Sequence, residues 1–212
     1  MYRPMLLASL VTAANVMATS SLEPAPWPEV FHASMLKHRN GQVCDTDLYY
    51  DWPAGGNLHI DRRPEEKPFF DNERQNGSTY YYTPGGSCKV IEMGVGLLPP
   101  DWLKGATYGG NETVRTASDE IRCHVWTKGH AMDNSTGPFI TYYENMETRT
   151  PARWRFFDGM YFDILHWEPG KKASAEQWQL PASCFNATVQ SRHKDLDQTG
   201  KAAWLRSAAV MV

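Results

Sequence analysis

The sequence predicts a mainly β fold: a large curved antiparallel sheet, a half barrel, with few short helices. Three observations carry this expectation. From Trp27 to Phe185 the chain is rich in Tyr, Trp, Phe, Val and Thr, the side chains that suit a pleated, half-buried surface. Gly and Pro interrupt that composition at short intervals, with the dipeptides that close antiparallel hairpins. No long stretch repeats its apolar residues at helical spacing.

The elements follow in chain order. "FHASMLKHR" and "QVCDTDLYYDW" read as two strands joined at Asn40-Gly41, and "PAGG" turns the chain into a third, "NLHIDRR". Alternation places Leu48 and Tyr50 on one face and Asp47, Tyr49 and Asp51 on the other. "PEEKPFFDNERQ" fits a loop or one helical turn. "STYYYT" and "SCKVIEMGVG" are strands around the turn "PGG". "LLPPDWLKGATYGGNET" is a loop, with a turn of helix after Asp101. "IRCHVWTK", "FITYYENM", "ARWRFFD" and "MYFDILHW" complete the strands, and "GKKASAEQWQLPASCF" closes the domain. In the third and fourth of these, alternation groups Ala152 with Trp154 and Phe156, and sets Tyr161, Asp163, Leu165 and Trp167 against Phe162, Ile164 and His166. One bulge would reverse either assignment.

The ends differ from the body. "MYRPMLLASLVTAANVMATS" has a basic start at Arg3, an apolar stretch from Met5 to Val16, and small residues before a cleavage expected after Ala18. That stretch is too short to span a bilayer, and stable membrane insertion is not expected. Residues 1–18 are thus a signal peptide, 19–26 a flexible entry, 27–185 one domain and 186–212 a C-terminal tail. Removal of Arg3 with the leader takes the formal net charge from −3 to −4. A mildly acidic chain without a basic block is a poor candidate for nucleic-acid binding.

An exported chain with four Cys (Cys44, Cys88, Cys123 and Cys184) reads as two disulfides, with three connectivities open. No C-x-x-C pair suggests zinc or redox chemistry. Four N-x-[ST] triplets, at Asn76, Asn111, Asn134 and Asn186, lie beside turn-forming residues and point to a glycoprotein of the secretory pathway.

Several segments taken together resemble a family of uncharacterised secreted proteins of plants and algae: "WPEVFHASM", "DLYYDWPAGGN", "NGSTYYYTP", "SCKVIEMGVGLLPPDWLKGATYGG", "CHVWTKG", "YYENMETRTPARWRFFDG" and "WQLPASCF". They cover residues 27 to 185. That family is in turn more distantly similar to the ependymin-related proteins, through Tyr80 to Cys88, Leu98 to Trp102, Cys123 to Trp126, and Leu180 to Cys184. The ependymin resemblance implies a fold like bacterial lipoprotein carriers, a strongly curved antiparallel sheet around a deep apolar pocket. It also implies secretion, glycosylation, binding of a hydrophobic ligand, and pairing of Cys88 with Cys184. Cys44 is then left with Cys123. A glycosyltransferase label sometimes attached to the plant family has no nucleotide-sugar motif behind it in this chain.

Catalysis has little support in the residues. Two carboxylates about 5 to 9 Å apart can hydrolyse a glycosidic bond, and Asp51 with Glu144 is the candidate pair. Asp45, Asp47 and Asp51, however, alternate as the solvent face of a sheet would, with Arg62, Arg63 and Arg155 available as partners. The histidines lack metal-ligand spacing, so no cofactor is expected; calcium held by acidic loops stays possible, although no EF-hand loop is present. No G-x-S-x-G nucleophile occurs. The aromatics carry the favoured function. Tyr50, Trp52, Trp126, Tyr142, Trp154, Phe156 and Trp167 are spread over most strands, and a single-layer sheet leaves two faces to be covered. Either a partner covers one, as a homo-oligomer would, or the sheet curls around a ligand. The expected function is therefore binding of a hydrophobic small molecule or lipid, without catalysis, by a secreted or lumenal glycoprotein. A carbohydrate-active enzyme and an extracellular matrix or adhesion component are the alternatives.

Overall fold

In the computed structural model, residues 22–92, 96–116, 119–129 and 137–191 are described. They form twelve strands: β1 (Val30–Arg39), β2 (Gln42–Asp51), β3 (Gly56–Arg62), β4 (Phe69–Arg74), β5 (Ser78–Tyr82), β6 (Cys88–Glu92), β7 (Thr107–Arg115), β8 (Glu120–Lys128), β9 (Ile140–Asn145), β10 (Pro151–Phe156), β11 (Tyr161–Pro169) and β12 (Val189–Ser191). Two one-turn helices, α1 (Ala175–Trp178) and α2 (Ala182–Phe185), precede β12. All twelve strands join one sheet in the order β12-β6-β5-β4-β3-β2-β1-β11-β10-β9-β8-β7. Two meanders, β1–β6 and β7–β11, therefore meet at the antiparallel β1–β11 pair. The mainly β, curved antiparallel architecture is the one the sequence predicts. The expected leader (residues 1–18), residues 19–21 of the flexible entry and residues 192–212 of the tail lie outside the described residues.

The first hairpin shows how local chemistry builds the sheet. Asn40 and Gly41 both have positive φ, 49° and 75°, the pair of left-handed residues that a twist-compatible two-residue turn requires. The resulting β1–β2 register is unbroken from Val30↔Asp51 to Arg39↔Gln42. It puts Phe31, Ala33 and Met35 beside Tyr50 and Leu48 in one apolar cluster.

The sheet curls toward that cluster. His59 on β3 and Phe162 on β11 have ring centroids 6.3 Å apart, although β2 and β1 lie between their strands. In a flat sheet three strand spacings would separate them by about 14 Å. The face bearing Phe31, Leu48 and Phe162 is thus the concave, inner face.

The two faces exchange character across the sheet. In β1, β2 and β8–β11 the inner face carries the apolar cluster. In β3, register with β2 places Asn57, His59 and Asp61 on the inner face, and buried Leu58 and Ile60 on the outer one. β4 and β5 continue this arrangement: Asp71, Glu73, Thr79 and Tyr81 face inward, while Phe70 stacks on Tyr82 outside. The outer apolar patch is covered by the chain after β11. Gly56 leaves room for the Trp178 ring, whose nearest carbon would lie 2.7 Å from a Cβ at that position. Arg74 lies over the same ring and donates to the Trp178 carbonyl at 3.0 Å. Cys88 and Cys184 then join in a disulfide that ties α2 to β6.

Several expectations are corrected. "PEEKPFFDNERQ" contains strand β4 rather than a loop or helical turn. "ATYGGNET" contributes the edge strand β7. The strands also continue past Phe185, because β12 pairs parallel to β6. Two bulges break the alternation assumed for the last strands. A register shift opposite Ser34/Met35 places Trp167 on the inner side with Phe162 and Ile164, not against them. A second shift between Pro151 and Arg153 sends Ala152 to the outer cluster of Val114 and Cys123, while Trp154 stays inside. The second disulfide is absent: Cys44 and Cys123 are free thiols. Cys44 sits on the inner face of β2 and Cys123 on the outer face of β8, with β1, β11, β10 and β9 between their strands.

The Cys88–Cys184 bridge closes a separation of 96 residues and anchors the cover of the outer patch. Replacing both cysteines with Ser is expected to cost about 2–5 kcal/mol in urea denaturation and to expose residues 171–186 to limited proteolysis. Unchanged stability with a protected segment would mean that Trp178 packing alone holds it.

Candidate functional site

The aromatic residues singled out in the sequence do converge. Tyr50, Trp126, Tyr142 and Trp154 are buried members of the inner cluster, and Trp52, Phe156 and Trp167 pack partly buried against it. Tyr142 stacks on Trp154 and Phe31 on Tyr50, and Phe31 meets Trp167 with tilted rings. Burial pushes the Tyr142 and Tyr50 hydroxyls above the usual phenol range.

What fills this face is the protein's own chain, in two irregular segments. The first is the strap of residues 22–29, entering β1. Its Trp27 makes edge contacts with Phe31, Tyr50 and Trp102, and its indole N–H donates to the Tyr142 hydroxyl at 3.1 Å. The second is the loop of residues 97–106, which inserts Trp102 and Leu103 into the cluster. The two are stitched together by the Trp27 N–H donating to the Pro100 carbonyl at 2.9 Å. Tyr50 donates its hydroxyl to the Leu98 carbonyl at 2.8 Å, and Lys128 bonds the Trp102 and Lys104 carbonyls.

Glu144 is the polar anchor of this closure. It is 0 % exposed, on the inner face of β9. Its carboxylate accepts the Ala25 N–H at 2.7 Å and the Trp126 indole N–H at 3.0 Å. Arg149 lies 3.2 Å from it and also donates to the Glu23 carbonyl at 2.6 Å. Arg149 has a φ of 58°, uncommon for a non-glycine residue. The tight β9–β10 turn holds it there, with its guanidinium over the strap.

This arrangement corrects the candidate acidic pair. Asp51 is on the outer face of β2, where its carboxylate accepts from the Ala54 N–H and meets Lys172 at 3.0 Å. Glu144 is on the inner face four strands away, so the two do not converge on one substrate. The remaining Asp residues of the opening stretch divide. Asp47 belongs to an outer-face chain in which His32 bridges it to Glu168, with Arg62 and Lys171 at the ends. Asp45 is exposed. Asp61 instead faces inward, accepting from Lys37 and Thr46 at 2.7 Å each. Among the described residues no group of three or more His, Cys, Asp and Glu is arranged to hold a metal ion.

Two further features of the inner face escaped the sequence reading. One is the polar strip of β3–β5. His59 faces Asp71 across the strands, and Asn57 donates to Glu73 at 2.8 Å. The other is a cavity of about 490 Å³ at the β1–β2 hairpin end, lined by Lys37, Arg39, Val43, Cys44, Arg63 and Glu66 among others. Lys37, Arg39 and Cys44 have the inner-face parity of their strands, so the cavity is the mouth of the concave side. The signal for it is readable in retrospect: Lys37 and Arg39 continue the alternation Phe31, Ala33, Met35. Of the sequons, Asn76, Asn111 and Asn186 are exposed; Asn134 lies outside the described residues.

The family model described as "Domain of unknown function (DUF8395)" matches residues 26–184, most of the sequence and every strand of the sheet but β12. The chain belongs to this DUF8395 family. No curated protein matches it by sequence. Among solved structures it is similar to an uncharacterized conserved protein from Thermus thermophilus, at 13 % identity and a TM-score of 0.51, covering 78 % of this chain and 91 % of that one. It is also similar to MucB of Pseudomonas aeruginosa in its complex with MucA, at 13 % identity and 0.42, covering 80 % and 62 %. A LolA-superfamily protein from Nitrosomonas europaea, NE2245, matches at 8 % identity and 0.38, covering 74 % and 93 %. At these identities the Thermus likeness speaks for a shared fold alone.

Removing the Glu144 carboxylate leaves the buried Trp126 N–H and the Ala25 N–H without their acceptor. Glu144→Ala is expected to cost about 3 kcal/mol and to make the strap the first site cut in limited proteolysis. A strap as resistant as in the wild type would show that Trp27 packing holds it alone.

Burial pushes the Cys123 thiol from 9.0 up to about 11. Between those values the folded state keeps a proton that the unfolded state releases, so this contribution to stability is intact below about pH 9 and falls as pH rises toward about 11. Melting curves at about pH 8 and about pH 10.5 should show the wild type losing more stability than Cys123→Ala. Equal losses would assign the alkaline sensitivity to other groups.

Proposed function

We propose that this protein is a non-catalytic binder of a hydrophobic small molecule or lipid, acting in the secretory lumen or outside the cell. One observation carries the reading: among the described residues, the aromatic inner face is closed by two irregular segments rather than by a second sheet or a helical layer. Segments such as these, joined to the face by a handful of hydrogen bonds, open more readily than paired strands do. A ligand that displaced Trp27 and Trp102 would gain the apolar area they now cover. Its net affinity would be that gain less the cost of lifting the segments. The polar strip next to the aromatics suits a lipid better than a plain hydrocarbon, since a polar group on the ligand finds partners there. The resemblance to the ependymin-related proteins supports the same reading. The Cys88–Cys184 bridge and the three exposed sequons fit an oxidising, glycosylating compartment.

The test is native mass spectrometry of protein purified from a secretory host, followed by organic extraction. An extra mass beyond one disulfide and N-glycans, released as a lipid, is the expected result. A second arm uses Trp102→Ala and a neutral naphthylamine dye. The truncation should cost about 3–5 kcal/mol of stability and raise dye affinity, because it vacates the same volume a ligand would take. A destabilised variant that binds no dye, together with an unliganded native mass, would reduce the aromatic face to a closed core.

A further inference from the structure

We propose that the cavity at the β1–β2 hairpin end is the binding site for the anionic head group, carboxylate or phosphate, of an amphiphile whose tail runs along the inner face. The assignment rests on the lipid-binding reading and adds the polarity and orientation of the ligand. The cavity, at about 490 Å³, lies within the range of small-molecule sites. Three cations, Lys37, Arg39 and Arg63, line it against one carboxylate, Glu66.

The cations are held from behind. Lys37 meets Asp61 at 2.7 Å, and Asp61 is fixed in turn by Thr46. Arg39 meets Asp158 at 3.5 Å. Neither Asp61 nor Asp158 lines the cavity. Among the described residues Arg63 pairs with Glu66 alone, at 3.5 Å, and both side chains are more than half exposed, 52 % and 61 %. An exposed pair of that kind contributes little, so the Arg63 guanidinium can turn to an incoming oxyanion and grip it through two N–H groups.

Orientation follows from β1. Lys37 is two residues beyond Met35 on the same face, and its ammonium lies 6.0 Å from the Phe162 ring centroid. The boundary between charged mouth and apolar interior is therefore one residue pair deep. A tail passing Lys37 would have to part Met35 and Phe162, which are buried in the apolar cluster, while its head stays among Arg39, Arg63 and Val43. A cationic head would be repelled by Arg63, whose exposed pairing with Glu66 leaves its charge the most available of the three.

Cys44 supplies the readout. It is the thiol lining this cavity, whereas Cys123 is buried on the other face of the sheet. The protein is incubated with dodecanoate, dodecyl phosphate, dodecanol, dodecylammonium or inorganic phosphate, then alkylated with N-ethylmaleimide. Modification of Cys44 is followed by mass spectrometry, and inner-face binding by tryptophan fluorescence. The two tailed anions are expected to slow Cys44 alkylation at least tenfold at concentrations where dodecanol and dodecylammonium do not. Arg63→Gln, a surface change that leaves the fold intact, should remove most of that protection while dodecanol still perturbs the fluorescence. The double variant Arg39→Gln/Arg63→Gln should remove the rest.

Equal protection by alcohol and anions, preference for the ammonium, or fluorescence changes without Cys44 protection would each overturn the head-group assignment while leaving the lipid reading in place. Protection by inorganic phosphate as strong as by dodecyl phosphate would make this a free-anion site and overturn the tailed ligand. No response to any tailed ligand, in fluorescence or alkylation, would remove both readings.

Discussion

A single sheet of twelve strands has two faces, and neither can be left as a continuous apolar surface in water. The rest of the structure depends on how that constraint is met. Among the described residues the chain does not build a second layer. It exchanges the apolar side between the two parts of the sheet, with the changeover at β3. Leu48 and Tyr50 of β2 face inward, whereas Leu58 and Ile60 of β3 face outward. Each apolar area is then small enough for a short piece of chain to cover. Residues 22–29 and 97–106 cover the inner one, and residues 171–186 the outer one. The disulfide is placed where the outer cover ends, and the Glu144 anchor where the inner cover begins.

This division also sets what the molecule can do. The outer cover is bridged covalently and packed on Gly56 through an indole that tolerates no added Cβ, so it is a structural part. The inner cover has no covalent tie among the described residues. Its polar contacts are concentrated at Glu144, Tyr142 and Pro100, and its apolar contacts at Trp27 and Trp102. The difference in attachment is why the inner face, and not the outer one, is assigned to binding.

Where one rule of local chemistry applied, the sequence was a sufficient guide. Asn40-Gly41 marks a hairpin, and the alternation Leu48, Tyr50 against Asp47, Tyr49 holds in the structure because no bulge interrupts β1–β2. It was insufficient where two rules compete. β4 reads as a loop because Asp71 and Glu73, two of its inward residues, are charged. An inward face is polar only if the neighbouring strands make it so, and that is a property of the sheet, not the segment. Plain alternation puts Trp167 on the wrong side, because one unpaired residue in β11 reverses everything beyond it. Once Cys88 is matched with Cys184, a Cys44–Cys123 pair follows only as the remainder. Their strands and faces, fixed by long-range pairing, keep them apart. The aromatic site residues were legible as a group, since cores and pockets share composition. That Trp27 and Trp102 fill the space among them was not, because both sit in segments without periodicity.

The hairpin mouth illustrates the same limit from the other side. Lys37, Arg39 and Arg63 lie on strands or strand ends where a charged residue normally signals solvent exposure. Their parity with Phe31 and Met35 places the first two inside. An inward-facing charge next to an apolar cluster is costly unless it is paired, and Lys37 is paired with Asp61, itself buried and accepting from Thr46. Such a triad adds little net stability compared with apolar residues of the same size. It stands at the boundary between the apolar interior and the open cavity. On the head-group proposal, that boundary would set how far an apolar tail extends before it meets charge, and so would give the inner face a direction.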